Sequence, residues 1–121
     1  MSQLIRVIIA NDQESVANMW QRLINRQDDM ESPIAAYDGI QVVDLAAEHK
    51  PDVIIMDVMM PGMDGIEATK MIIEQGNNTQ IIVCSARPDI EKTALEAGAV
   101  SVLGLPLLPD VLLRTIREVV Q

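Results

Sequence analysis

The polar residues of this chain that could do chemistry on phosphorus or hold a hard cation are Asn11, Asp12, Asp57 and Ser85. Each follows a short apolar run: Ile5 to Ala10, Val53 to Met56, and Gln80 to Cys84. Runs of this length, bounded by proline, glycine or polar pairs, fit strands buried on both faces of a parallel sheet. In an open α/β sheet, ligands bind outside the carboxyl ends of the strands. Parallel strands would therefore gather Asn11 and Asp12, Asp57, Ser85 and Leu105 along one edge. Two carboxylates and a hydroxyl converging there suggest a divalent cation such as Mg²⁺, which takes one or two carboxylates, a carbonyl and several waters. Asp57, at the centre, could also attack phosphorus and form an aspartyl phosphate. The metal would then screen the approach of the anionic donor. A turn-capping aspartate is the plainer alternative.

The elements that must position these residues follow from hydrophobic spacing. After Ile5 to Ala10, a helix carries Val16, Met19, Trp20, Leu23 and Ile24 on one face, at the spacing of an amphipathic helix. Pro33 to Tyr37 suits an edge strand, because proline is confined to edges and bulges. Asp38-Gly39 opens a second helix reaching about Lys50, with Val42, Val43, Leu45 and Ala46 inward and His49 near its end. Beyond Pro61-Gly62, Asp64 to Gln75 reads as a third helix, with Asp64 and Glu67 at capping-box spacing and Gly76 as a stop. Asp89 to Ala97 forms a short helix, Val100 to Leu105 a fifth strand, and Pro109 to Val120 a last helix. Strands alternating with helices predict a single α/β domain over 1–121, with the sheet covered on both faces and right-handed crossovers.

Composition narrows the function. Hydrophobic residues make up 49% and charged residues 22%, which describes a globular chain. The net charge of −9 and the near absence of aromatics argue against direct nucleic-acid binding, which needs clustered Lys and Arg or stacking rings. No apolar run reaches transmembrane length, and the first residues lack a signal-peptide layout. The single Cys84 reads as a small buried hydrophobe, consistent with a cytoplasmic, reducing setting. One histidine, His49, offers no partner for a histidine-based metal or catalytic site.

The segments V-I-I-A-N-D at 7–12, D-V-I-I-M-D-V-M-M-P-G-M-D-G at 52–65, I-I-V-C-S-A at 81–86 and G-A-V-S-V-L-G-L-P at 98–106 resemble the receiver domains of two-component response regulators. The resemblance covers the whole chain. It implies a flavodoxin-like (βα)₅ fold with parallel strand order 2-1-3-4-5 and a site at the switch between strands one and three. By the same resemblance Asp57 is the phosphoacceptor, and Asp12, Asp57 and the Met59 carbonyl are the Mg²⁺ ligands. Ser85 is the switch hydroxyl, and Pro106 is a proline often cis.

Three positions depart from the family pattern. Asn11 replaces the first acid of the pair and keeps only an indirect role at a weakened metal site. Leu105 replaces the lysine that pairs with the acceptor, and Val102 replaces the switch aromatic. Arg87 is the one nearby cation that could compensate; a solvated loop arginine is the plainer reading.

The expected function is phosphorelay signal reception on Asp57, not enzymatic turnover. The alternative is a degenerate receiver acting as a phosphorylation-independent interaction or dimerisation module. A phosphohydrolase is disfavoured because Met59, not an acid, lies two residues after Asp57. The resemblance implies a sensor histidine kinase or phosphotransfer protein as partner. It also implies a homodimer through the 89–121 face, where Leu95 lies off the inward stripe of Ile90, Ala94 and Ala97, and a C-terminal DNA-binding output domain absent from this chain.

Overall fold

A computed structural model describes residues 3–121; the first two residues of the expected 1–121 domain lie outside the described residues. The elements run β1 (Ile5–Ala10), α1 (Glu14–Asn25), β2 (Met30–Ala36), α2 (Gly39–His49), β3 (Val53–Asp57), α3 (Gly65–Glu74), β4 (Gln80–Ser85), α4 (Glu91–Ala97), β5 (Ser101–Gly104) and α5 (Pro109–Val119). The strands form one parallel sheet in the order β2-β1-β3-β4-β5. This is the flavodoxin-like (βα)₅ topology expected from the sequence.

Side chains of a strand alternate between faces, and the core splits accordingly. Ile8, Ile54, Met56, Ile81 and Val83 meet Val42 and Ala46 of α2, Ile66 and Ile72 of α3, and Ala94 of α4. Val7, Ile9, Val53, Ile55, Ile82 and Cys84 face Ala17, Trp20 and Ile24 of α1 and Leu112 and Ile116 of α5. Helices α1 and α5 thus cover one face, and α2 to α4 the other. The apolar runs without alternation are explained by burial on both sides.

Several local expectations are corrected. On α1 the buried stripe is Ala17, Trp20 and Ile24, with Val16 and Leu23 partly buried against the same core as expected, while Met19 is exposed. Strand β2 begins at Met30, before Pro33, not at it. The register between β1 and β2 shifts between Arg6/Glu31 and Ile8/Ile34, leaving one extra residue in β2. A bulge tolerates a proline that has no N–H to donate. At that bulge Ser32 turns to α1: its N–H donates to Asn25 Oδ1 at 2.7 Å, and its carbonyl accepts from Gln21 Nε2 at 3.0 Å. A 3₁₀ turn over Pro88–Ile90 precedes α4, which starts at Glu91 rather than Asp89. Strand β5 is shorter than expected, and Leu105 lies in the loop beyond it. Val120 follows the end of α5 and is exposed.

Helix starts follow the sequence. Asp38 Oδ1 accepts from the Gln41 N–H at 2.7 Å, and Asp64 Oδ1 from the Glu67 N–H at 2.9 Å. Each satisfies one otherwise unpaired donor. At its other end, α5 is tied to the turn before β2 by a fork–fork ion pair: Arg117 Nε to Asp29 Oδ2 at 2.7 Å and Nη2 to Oδ1 at 3.0 Å.

Ile54 is fully buried in the middle of the sheet. Ile54→Ala should destabilise the fold by about 2–5 kcal/mol, the usual range for such truncations. Urea denaturation checks this; a loss below about 1 kcal/mol would mean that this core collapses around the void.

Candidate functional site

The site is built by strand ends. Ala10 pairs with Met56 and Asp57 pairs with Cys84, so the next residue of β1, Asn11, lies level with Asp57. Ser85 pairs with Gly104, and the Leu105 N–H donates to the Ser85 carbonyl at 3.2 Å. Asn11, Asp57, Ser85 and Leu105 therefore stand in a row across the carboxyl edge, with Asp12 one residue beyond.

Asp57 is held from below and from the side. The Gly65 N–H donates to the Val58 carbonyl at 2.9 Å. A Cβ at residue 65 would collide with the Asp57 carbonyl oxygen, so only glycine lets the start of α3 close on the end of β3. Similarly, a Cβ at residue 39 would collide with the Met63 carbonyl, which seats α2 against the loop between β3 and α3. Neither packing constraint is visible as a chemical motif. The only sequence signal for them is glycine at the first position of each helix.

Burial raises the Asp57 carboxyl above the ordinary carboxylate range, and the charge of Asp12 pushes the same way. Hydrogen bonds from the backbone N–H groups of Met59 and Val58 oppose the rise. Burial and like charge both disfavour the anion. Among the described residues, neither Asp12 nor Asp57 forms an ion pair with Lys, Arg or His. Burial, and then the charge of Asp57, lift the Cys84 thiol to about 12, so Cys84 is a packing residue and not a nucleophile.

The remaining positions fall as follows. Asp12 is exposed beside the site. Asn11 Oδ1 accepts from the Gln13 N–H at 2.9 Å, closing the turn that launches α1. Ser85 is 9% exposed, and its Oγ accepts from the Arg87 N–H at 3.0 Å, leaving its proton free to donate. Arg87 does not reach Asp57's charge: its guanidinium grips Asp89, Nη2 to Oδ2 at 2.8 Å, in solvent. Val102 packs against the face covered by α2 to α4. Leu105 is 43% exposed and lines a cleft beside Asp57. The Met59 side chain is 71% exposed. The peptide between Leu105 and Pro106 is cis.

The donor set can be tested against a metal. No group of three or more His, Cys, Asp or Glu comes together among the described residues, so a zinc-type site is not built here. Two carboxylates close enough to repel each other, with no cationic partner among the described residues, are donors that Mg²⁺ accepts while keeping several waters. The residues fit that ion.

Because the folded state holds the Asp57 proton more tightly than the unfolded chain does, stability falls as pH rises from 3.8 through the raised value. Asp57→Asn carries no charge. The variant should therefore be more stable than the wild type at neutral pH, and its advantage should shrink as pH falls through that window. Urea denaturation across the acidic range measures it. An Asn variant less stable at neutral pH would contradict the assignment of strain to this carboxylate.

The family of response regulator receiver domains matches residues 7–117. The chain is 43% identical over 102 residues to the transcriptional regulatory protein LiaR of Bacillus subtilis, covering 83% of this chain and 48% of LiaR. It is 42% identical over 116 residues to the uncharacterised transcriptional regulatory protein YxjL of the same organism, covering 93% of this chain and 53% of that protein. The chain thus spans about half the length of these curated relatives. The response regulator domain of Thermotoga maritima CheB superposes with a TM-score of 0.89 at 33% identity, over 96% of each chain. A LuxR-family DNA-binding response regulator from Staphylococcus aureus gives 0.90 at 28%, over 98% of this chain and all of the other. Receiver domains are in general signalling modules, not enzymes of turnover, and in general hold Mg²⁺ at the site of phosphorylation. The chain belongs to the response regulator receiver domain family and serves signal reception in two-component phosphorelays.

Proposed function

We propose that Asp57 accepts the phosphoryl group and that residues 1–121 act as one receiver unit. The observation that carries this reading is the placement of Asp57: partly buried, at the end of the central strand, beside Asp12, with no ion pair to a cationic side chain among the described residues. Asp12, Asp57 and the Met59 carbonyl hold Mg²⁺, and Asn11 contributes at most indirectly, since its side-chain oxygen already serves Gln13. When bound, the ion offsets the charge of the incoming group. The Ser85 hydroxyl donates to a phosphoryl oxygen. Leu105 provides neither charge nor hydrogen bond, so the modified form gains less over the unmodified one. A conformational equilibrium moves only by that difference. The donor is a histidine kinase or phosphotransfer protein in the cytoplasm, and the output is a DNA-binding domain of the kind found in LuxR-family regulators.

Acetyl phosphate or beryllofluoride with Mg²⁺, followed by intact mass and amide NMR, tests the reading. One phosphoryl addition is expected, lost in Asp57→Asn, with small shifts along α4 and β5. Leu105→Lys should enlarge those shifts, and Leu105→Lys with Val102→Tyr should enlarge them further. No addition at all would overturn the proposal. A large response in the wild type would show that the missing lysine is not limiting.

Leu95 is 45% exposed on α4, and Val100 and Leu108 are exposed nearby in the chain. Apolar groups of this kind mark interfaces when they cluster, and the 89–121 face is the proposed homodimer contact. Sedimentation should show self-association that Leu95→Glu weakens. A wild-type monomer at high concentration would remove this assignment.

A further inference from the structure

The face covered by α1 and α5 is incompletely filled near the site. A cleft of about 420 Å³ runs from Asp57 between α1 and the loop after β5. Val16, Met19, Trp20, Leu105 and Leu107 contribute to its apolar wall, and no Lys, Arg or His lines it. A volume of this order matches a small-molecule site, where apolar walls surround a few fixed polar groups. At one end stands the Asp57 carboxylate, with no ion pair to a protein cation among the described residues. Asp12 adds a second negative charge at that end. The far end runs into a second cleft that shares Met19, Trp20 and Leu107 and carries Arg22 and Arg26. Carboxylates thus stand at one end of the apolar wall, and two arginines line the neighbouring cleft at the other.

We propose that this cleft binds a small organic cation with an apolar body, an alkylammonium or arylalkylammonium. Its ammonium group meets Asp57, and its body lies along Trp20, Leu105 and Leu107. The charge-assisted hydrogen bond to the carboxylate fixes orientation, and the buried methylenes give most of the affinity. The arginines at the far end reject a second positive charge, so the ligand is a monocation. The proposal needs only a free Asp57 carboxylate and does not depend on Asp57 being a phosphoacceptor; where it is one, ligand and phosphoryl group compete for that carboxylate.

Trp20, the only tryptophan, lines the cleft and reports on it. The wild-type protein in metal-free buffer is titrated with ethyl-, butyl- and hexylammonium, with neutral hexanol, and with a hexane carrying ammonium at both ends. Affinity should rise about fourfold per added methylene. Hexanol and the dication should bind at least tenfold more weakly than hexylammonium. Asp57→Asn should lose about tenfold or more, the scale of one charge-assisted bond. Leu105→Lys, which places a tethered ammonium in the cleft, should abolish binding. Circular dichroism checks that both variants fold, and the chain-length series needs no variant. Hexanol binding as well as hexylammonium, the dication binding better, or Asp57→Asn retaining affinity would each overturn the proposal, as would no response to hexylammonium at millimolar concentration.

Discussion

The structure depends on a central strand that leaves no room for charge along its length. Val53, Ile54 and Met56 are fully buried and Ile55 nearly so. β3 is bonded on one side to β1 and on the other to β4. In such a strand every backbone group is satisfied and every side chain is apolar. A carboxylate can stand only where the strand emerges, and Asp57 stands there. The same burial that fixes its position also desolvates it, and the neighbouring Asp12 adds repulsion. The site is thus a place of unbalanced negative charge made by the core beneath it. What binds there must bring positive charge, either as its own or as a metal's.

The departures from the family pattern do not damage the scaffold. Asn11 keeps the acceptor oxygen that closes the turn into α1, so the helix starts where an aspartate would start it. Val102 remains part of the core on its face. Leu105 still ties the end of β5 to Ser85 through its backbone. Each substitution removes a charge or a ring from the site and leaves the local geometry standing.

The fold was legible in the sequence because its strongest signals are of one kind. Short β-branched runs alternate with amphipathic segments, and each run ends in a polar residue. Parallel strands put Asp57, Asp12, Asn11, Ser85 and Leu105 on one edge without further information. What escaped was set by tertiary packing. Ala17 adds little to a hydrophobic stripe read from sequence, yet it is fully buried in the core on this face. Met30 to Ser32 joined β2 although a proline follows, because a bulge and the side chains of α1 satisfy the backbone around it. The requirement for glycine at Gly39 and Gly65 arises from a loop far off in the chain and from the end of β3, which no local pattern records. The cleft beside Asp57 likewise depends on how α1 and the loop after β5 are spaced, and spacing between elements has no signature in one sequence.

The bulge in β2 has a bearing on solution behaviour. β2 is an outer strand of the sheet, and an outer strand with a regular ladder offers itself to any passing extended chain. Here the peptide at Ser32 is already engaged by Asn25 and Gln21, and the next residue, Pro33, has no proton to give. A foreign strand laid along this margin would find its hydrogen-bonding rhythm broken midway. The irregularity therefore works as a guard against strand addition and fibrillar growth. It leaves this margin of the sheet to contacts made through side chains.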